Sequence, residues 1–160
     1  MAKAISDTSP LVYLYRIGGL DWLPVLFEDV WVPSAVVQEL ATGRTLGYDV
    51  PDPTKYAWLR LVDPHAVPSE WLVADLGAGE IATLALAFEH PEHILLLDDL
   101  LARRIAQAAG LTVWGTLRLL LEAKSHGLIE RVAPQLDALE RAGLWMSQEI
   151  KHRILRLAHE

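Results

Sequence analysis

One apolar run of strand length, Ile94-Leu95-Leu96-Leu97, ends abruptly in the carboxylates Asp98 and Asp99, and a helical pattern follows from Leu100 to Ala109. An apolar run of this length is typical of a buried strand. In open α/β sheets, ligands bind at the carboxyl ends of the strands. The acid that follows this strand, Asp98, is therefore the first candidate site residue.

The amino terminus repeats this arrangement. Residues 3–6 have the pattern of a short strand, Asp7 closes it, and Thr8-Ser9-Pro10 opens a helix. If both strands are central and parallel, their carboxyl ends lie at the same edge of the sheet. Asp7 and Asp98 are then expected to be close to each other.

The rest of the chain alternates between strand and helix patterns. Further strands are predicted at 30–32, 58–62 and 111–114, and the one at 58–62 is expected at the sheet edge. Helices are predicted at 21–27 with Asp21 as cap, at 34–40, at 80–89 and at 130–142 with an interruption near Pro134. A terminal helix is predicted after its cap Ser147, with Ile150, Ile154 and Leu157 facing inward. Residues 43–55 resemble a long surface loop. The order strand, helix, strand, helix from Ile94 to Ser125 indicates an α/β fold with a parallel sheet.

Length and composition indicate a single domain that spans residues 1–160. Of the 160 residues, 52% are hydrophobic, which suffices for a substantial core. The formal net charge of -7 argues against a basic nucleic-acid-binding coat, so RNA would need a local basic patch. The absence of cysteine excludes disulfides, zinc–thiolate sites and thiol catalysis. Neither a secretory signal nor a membrane span is evident, and a cytoplasmic protein is expected.

Two further acids lie beside apolar segments that would fix their positions. Glu39 is close to the apolar face of the helix at 34–40, and Glu80 begins the helix at 80–89. Carboxylates are the hard oxygen ligands that hold Mg²⁺ or Mn²⁺ in sites for phosphate chemistry. The alternative is that Asp7 and Glu80 only stabilise helix amino termini and that Glu39 is solvated.

Four basic residues, Arg103, Arg104, Arg118 and Lys124, occupy a segment with few acids, and they are candidates for nucleic-acid binding or for an ordinary solvated helix face. Trp114 is a candidate for base stacking because it ends a predicted strand at the same edge. His90 and His93 could share a zinc ion, but Pro91 separates them and a third ligand is not evident in the sequence.

Several blocks of the chain, in order, resemble PIN-domain-like proteins, and in particular a prokaryotic branch labelled as a domain of unknown function and related to VapC-type toxins. The similarity spans residue 4 to about residue 155, and its blocks are 5–11 (ISDTSPL), 32–40 (VPSAVVQEL), 76–82 (LGAGEIA), 95–99 (LLLDD) and 111–129 with its GTL and GLI segments. The resemblance implies a doubly wound α/β fold with a central parallel sheet of four to five strands flanked by helices.

The same resemblance implies a function. It implies single-stranded RNA cleavage with Mg²⁺ or Mn²⁺, in which Asp7, Glu80 and Asp98 hold the metal and Glu39 completes the catalytic site. Thr8 or Ser9 would orient a ligand carboxylate or a bound water. It further implies the toxin-like half of a toxin–antitoxin pair, with a small antitoxin partner and a homodimer. Departures from the VapC pattern, such as Glu80 in place of an Asp, leave open a catalytically inactive nucleic-acid-binding or protein-interaction module.

Overall fold

The computed structural model describes residues 1–70 and 75–160, and its centre is a parallel sheet. The strand order is β3-β2-β1-β4-β5, and all four pairings of neighbouring strands are parallel. The strands are β1 (Lys3–Ser6), β2 (Asp29–Val32), β3 (Leu59–Leu61), β4 (Ile94–Leu96) and β5 (Val113–Trp114). The α/β class, the parallel sheet and the edge position of the third strand are confirmed.

Eight α-helices and two short 3-10 helices accompany the sheet in the described part of the chain. The α-helices are α1 (Thr8–Arg16), α2 (Leu23–Leu26), α3 (Ser34–Thr45), α4 (Ala78–Glu89), α5 (Leu100–Ala108), α6 (Thr116–Ser125), α7 (Ala133–Arg141) and α8 (Gln148–Leu157). The 3-10 helices are Leu20–Trp22 and Pro53–Lys55. None of the helices within residues 1–70 and 75–160 has the length and apolar character needed to cross a membrane.

Helices cover both faces of the sheet because the strand residues alternate between two apolar cores. In β1, Ala4 packs with α1, α2, α3 and α6, whereas Ile5 packs with α4 and α5. After Ile94, the same alternation places Leu96 in the first core and Leu95 and Leu97 in the second. A third cluster joins α6 to α7 and α8. Strands that are buried on both faces read as continuous apolar runs, which explains the sequence of β4.

The chain order around β1 creates the topological switch point of the sheet. From β1 the chain builds outward through β2 and β3, and then crosses to the other side of β1 to add β4 and β5. β1 and β4 are therefore neighbours, and Ile5 lies opposite Leu95. The amide of Asp7 donates a hydrogen bond of 3.0 Å to the Leu96 carbonyl. Asp7 and Asp98 thus leave adjacent strands at the crevice where ligands bind in such sheets.

The helix at 34–40 is longer than predicted, because α3 continues to Thr45 into the segment interpreted as a loop. Gly43 lies within this helix, where the sequence pattern indicated a break. A Cβ at this position would lie 3.2 Å from Cγ2 of Val50, so the glycine permits close packing of the following segment against α3. The helix therefore tolerates this residue for a packing reason.

Two other predicted helices differ in detail. Asp21 does not cap one long helix but lies inside the 3-10 helix Leu20–Trp22, which precedes the four-residue helix α2. Pro134 does not interrupt a helix, since it lies in the first turn of α7, where a missing N–H has no consequence. Ser147 caps α8 as expected, and its hydroxyl accepts a hydrogen bond from the Ile150 amide.

Candidate metal centre

Asp7 is the most deeply buried of the candidate acids. It follows β1, its exposed fraction is 3%, and its Oδ1 atom has no hydrogen-bond partner among the described residues. A buried carboxylate oxygen without a partner is costly, because it has lost its hydration without compensation. This atom is therefore a position at which a cation would be stabilising.

Asp98 is held in place by the start of α6. Its Oδ1 accepts a hydrogen bond of 2.7 Å from the amide of Thr116, and its Oδ2 accepts one of 2.7 Å from the Thr116 hydroxyl. Gly115 allows this approach, since a Cβ there would lie 3.1 Å from Oδ1 of Asp98 and 2.9 Å from Nη1 of Arg103. Both carboxylate oxygens thus have a defined orientation.

Glu39 connects three helices around the same edge. The residue extends from α3, beside the buried Leu40. Its Oε2 accepts a hydrogen bond of 2.5 Å from the Thr8 hydroxyl at the start of α1, and its Oε1 accepts one of 2.8 Å from the Gly79 amide in α4. Because both oxygens are engaged, the carboxylate is oriented before any ligand binds.

Glu80 lies in the first turn of α4, where the positive end of the helix dipole favours a negative charge. A Cβ at Gly77 would clash with Oε2 of Glu80 and would lie 3.9 Å from Oε1 of Glu39. The carboxylates of Glu80 and Glu39 therefore border the same space beside Gly77. All four predicted acids are together at the carboxyl edge of the sheet.

Crowding and burial change the proton affinity of these acids. Burial raises the pKa of Asp7 to about 7; the Thr8 amide opposes this shift, and the charges of Glu80, Glu39 and Asp98 add to it. Burial also raises the pKa of Glu80, with contributions from Asp99 and Glu39. Burial raises the pKa of Asp98, although Thr116 and the Arg103 guanidinium oppose that shift. A divalent cation would relieve this accumulation of charge.

Asp99 is a fifth acid of the cluster that the sequence interpretation did not include. It is exposed and caps α5, since its Oδ2 accepts a hydrogen bond of 2.9 Å from the Ala102 amide. Its charge nevertheless contributes to the raised pKa of Glu80. The sequence feature that could have indicated Asp99 was its position directly after Asp98. Thr116 was also missed, because a partner 18 residues away from Asp98 leaves no local pattern.

The donor set fits a hard divalent cation. The available ligands are carboxylate oxygens, one of which is buried and unpartnered, and the described part of the centre contains no imidazole or sulfur donor. Mg²⁺ and Mn²⁺ prefer oxygen ligands, whereas softer metals prefer nitrogen and sulfur. Asp7, Glu80 and Asp98 are the residues that would hold such an ion.

Replacing Thr116 by valine should weaken the centre without removing a ligand. The substitution deletes the hydroxyl that orients Oδ2 of Asp98, and such partners of metal ligands are typically worth about 10- to 100-fold in metal affinity. We expect a loss of this size in calorimetric Mn²⁺ titration. Thr116→Ser should retain binding, and Thr45→Val, which removes an exposed hydroxyl, serves as the control. Equal affinity of Thr116→Val and wild type would show that Asp98 needs no such support.

The basic candidates are distributed unevenly around this centre. Arg103 lies closest, beside Gly115, and Arg118 is exposed, with its guanidinium 5.0 Å from the Trp114 ring. Arg104 is exposed on α5. The ammonium group of Lys124 instead donates hydrogen bonds to the Ala158 carbonyl (2.6 Å) and to Glu160 (2.9 Å). Lys124 therefore anchors the carboxyl-terminal residues and is not directed toward the acids.

A groove of 520 Å³ extends from Asp98 along α6 and α8. Its lining is mainly apolar, with three arginines: Asp98, Arg103, Gly115, Leu117, Arg118, Leu121, Leu144, Trp145, Met146, Ile150, Arg153, Ile154 and Leu157. The inward positions predicted for Ile150 and Leu157 are wrong, since these side chains are 43% and 58% exposed and border the groove. The pattern identified a common apolar face, but no other element within residues 1–70 and 75–160 covers it.

The aromatic side chain available in this groove is Trp145 rather than Trp114. Trp114 is half-buried, and its ring centroid lies 5.5 Å from that of Phe27 in the core. Trp145 is 83% exposed and lines the groove that contains Asp98. An exposed indole at such a position is suited to stacking against a planar ligand.

The fold and the site define an α/β protein with a carboxylate centre at the switch point of its parallel sheet. The chain belongs to the PIN-domain family, since residues 3–160 match the family model described as "DUF3368: PIN domain". This membership confirms the resemblance to PIN-domain-like proteins and places the chain in a nuclease-like family of hydrolases. No protein with a curated description matches the chain.

Two solved structures resemble this fold. A PilT N-terminus domain protein from the archaeon Sulfolobus solfataricus superposes with a TM-score of 0.55 at 17% identity, over 76% of this chain and 92% of the other. A domain of a functionally unknown protein from Methanocaldococcus jannaschii gives a TM-score of 0.49 at 22% identity, over 72% of this chain and 91% of the other. At these identities the first similarity supports the fold alone.

Proposed function

We propose that the protein is a divalent-metal-dependent endoribonuclease that cleaves single-stranded RNA, as the toxin-like component of a toxin–antitoxin pair. The observation that carries this proposal is the convergence of Asp7, Glu39, Glu80 and Asp98 on one edge of the sheet, with a buried Asp7 oxygen that lacks a partner. Membership of a nuclease-like family supports the same class of reaction.

Each acid has a distinct role in this proposal. Asp7, Glu80 and Asp98 would hold Mg²⁺ or Mn²⁺. When bound, such an ion polarises a phosphoryl oxygen and lowers the pKa of a bound water. Thr8 and the Gly79 amide fix the Glu39 carboxylate, which suits it to orient the attacking water. Thr116 fixes the orientation of the Asp98 carboxylate by donating a hydrogen bond to each of its oxygens.

The groove beside Asp98 supports a nucleic-acid substrate. Arg103, Arg118 and Arg153 lie along it, although the protein as a whole carries a net charge of -7. Such a local concentration of arginines favours a phosphate backbone. Trp145 and the apolar walls offer a surface on which an unpaired base can stack. Single-stranded RNA has such unpaired bases, whereas double-stranded RNA does not. We propose Arg104 as a weaker, peripheral contact.

Trp145→Ala should reduce affinity for single-stranded RNA by about 10-fold, since stacking of one base contributes on the order of 1–3 kcal/mol. The indole is almost fully exposed, so the substitution should leave thermal stability nearly unchanged. Fluorescence anisotropy with an RNA oligonucleotide and Ca²⁺ in place of the catalytic metal measures binding without cleavage. Trp58→Ala removes a Trp outside the groove and controls for the loss of an indole elsewhere in the protein. Equal RNA affinities of Trp145→Ala and wild type would exclude base stacking on Trp145.

The proposed activity is tested directly by incubating the protein with pooled single-stranded RNA in Mn²⁺ or Mg²⁺. We expect fragments that disappear on chelation and in Asp98→Asn, with double-stranded RNA cut more slowly. RNA binding without cleavage by the wild type would instead favour an inactive binding module.

The partners implied by the family resemblance are also proposals. A small antitoxin that covered the apolar groove would block the RNA path and bury Trp145, Ile150 and Leu157 together. A homodimer would be recognised by light scattering of the purified chain. Co-expression with a short protein encoded beside it, followed by loss of RNA cleavage, would support the toxin role.

A further inference from the structure

A second group of metal-ligating side chains lies at the opposite end of β4 from Asp98. His90, Glu92 and His93 form the connection between α4 and β4, and one ligand atom from each lies within 4.8 Å of the other two. The two strand ends place this group and the acidic centre on opposite edges of the sheet. The acids of the first centre therefore cannot contribute to it.

The imidazole of His93 has an environment that packing alone does not explain. The side chain is 2% exposed, and neither ring nitrogen has a hydrogen-bond partner among the described residues. Its Nδ1 lies 3.2 Å from Oε1 of Glu92, an ion-pair distance when the imidazole is protonated, but the contact does not have hydrogen-bond geometry. A shared cation requires ligand atoms that lie close together but do not form hydrogen bonds with one another.

The spacing of the ligand atoms matches a small tetrahedral centre. Oε1 of Glu92 is 3.2 Å from Nδ1 of His93 and 3.8 Å from Nδ1 of His90. Metal–ligand bonds of about 2.0–2.2 Å in a tetrahedron place neighbouring ligands about 3.3–3.6 Å apart. The other separations, of 3.8 Å and at most 4.8 Å, are longer than this range, so a bound ion would require the exposed Glu92 and half-buried His90 side chains to rotate toward it.

The surroundings hold the two imidazoles in place. The Trp31 ring lies 4.8 Å from the His90 ring and 4.3 Å from the His93 ring, measured between centroids. The His93 amide donates a hydrogen bond of 3.1 Å to the His90 carbonyl, which closes the turn. The Arg60 guanidinium lies 5.8 Å from the Trp31 ring centroid and is paired with Asp29 at 2.8 Å, and Lys3 is a further cation near His93.

We propose that His90, Glu92 and His93 bind a transition-metal ion of the Zn²⁺ class, with water as the fourth ligand, and that this ion fastens the α4–β4 turn. Two imidazoles and one carboxylate favour Zn²⁺ over Mg²⁺, which prefers oxygen ligands alone. The exposed side of Glu92 leaves a path for the ion and for the water. The proposal is independent of the acidic centre and of any RNA cleavage.

The test is a calorimetric Zn²⁺ titration of the metal-free chain, repeated with His90→Ala and Glu92→Gln. Both substitutions change exposed or half-buried side chains, so the fold should be retained, which circular dichroism checks. Because the carboxylates of the acidic centre also bind Zn²⁺, we expect a saturable site that persists in Asp98→Asn and in the exposed-histidine control His152→Ala, and that is weakened by about 10-fold or more in His90→Ala and in Glu92→Gln. Co²⁺ should report four-coordinate ligation by its visible absorption.

Three results would overturn the proposal. They are the absence of Zn²⁺ binding by the wild type, unchanged affinity in His90→Ala and Glu92→Gln, and loss of binding in Asp98→Asn alone. The last result would assign the ion to the acidic centre.

Discussion

Asp7→Asn is expected to abolish metal-dependent RNA cleavage and, at the same time, to stabilise the metal-free protein. The substitution removes a proposed ligand, and the Lewis-acid contribution of a catalytic metal amounts to several kcal/mol, or a rate loss of about 10³-fold or more. It also removes a buried charge that burial and three neighbouring acids disfavour. Loss of function together with gain of stability distinguishes a site residue from a structural one.

The pH dependence of this stabilisation follows from the direction of the shift. The pKa of Asp7 is raised from 3.8 to about 7 on folding, so the folded chain retains a proton that the unfolded chain has released. The contribution of Asp7 to the free energy of unfolding therefore falls as the pH rises from about 4 to 7. Above pH 7 the carboxylate is charged in the folded chain, and the full cost of burying this charge is present. The advantage of Asp7→Asn should be greatest at pH 8, on the order of 4 kcal/mol, and small near pH 4.

Urea denaturation of the wild type and Asp7→Asn at several pH values, in the presence of a chelator, measures this difference. Asp49→Asn removes an exposed carboxylate of the same type and should show no such trend. Added Mn²⁺ should stabilise the wild type and have little effect on Asp7→Asn. A destabilised Asp7→Asn at pH 8 would contradict the assignment of Asp7 as a strained, buried ligand.

Gly79→Ala is expected to reduce cleavage by about 10- to 100-fold, although no acid is removed. A methyl group at this position would lie 2.5 Å from Oε2 and 2.7 Å from Oε1 of Glu39. Glu39 must then leave its place and lose its hydrogen bonds to Thr8 and to the Gly79 amide. Alanine is the better helix former by about 0.8–1.0 kcal/mol, so a less stable α4 would not explain the loss.

A double-mutant cycle with Glu39→Gln tests whether Gly79 acts through Glu39. If it does, the rate of the double variant should be close to that of Glu39→Gln alone, because the same group is already disabled. Single-turnover cleavage rates and thermal melts of the four proteins complete the measurement. Multiplicative losses, or full activity in Gly79→Ala, would contradict the role assigned to this glycine.

The positions of the acids could be predicted from local patterns to different degrees. Asp7 and Asp98 follow apolar runs of strand length, and parallel topology then requires them to meet, as they do. Glu39 and Glu80 depend on where two helices dock against the sheet. Their placement was anticipated because the family resemblance supplied an order of blocks, which periodicity does not contain.

The contacts that orient these acids could not be predicted in the same way. Thr116 meets Asp98 only because β5 lies beside β4, and the Gly79 amide meets Glu39 only because α3 and α4 approach at one end. Such partners are distant in the chain and carry no spacing signal. Sequence patterns are equally silent about space: Gly77, Gly79 and Gly115 each leave room for a carboxylate, and no spacing in the sequence indicates this.

Exposure of the apolar groove shows another limit of periodicity. An amphipathic pattern identifies which residues of α8 share a face, but whether another element covers that face is a tertiary property. Ile150 and Leu157 therefore line an open groove, and Trp145 lies exposed beside them. The same reasoning explains the histidines, since the third candidate ligand, Glu92, becomes evident only once the turn is formed.

The carboxylate centre is tested by calorimetric titration of the purified wild type and Asp98→Asn with Mg²⁺ and Mn²⁺, with a non-cleavable single-stranded RNA present and absent. Mg²⁺ prefers oxygen ligands to imidazole nitrogen, so its binding reports on the carboxylates and not on the histidine cluster. We expect saturable binding by the wild type that is lost in Asp98→Asn. Wild-type protein that binds neither metal at millimolar concentration, even with RNA, would contradict the assignment of these acids as a metal centre.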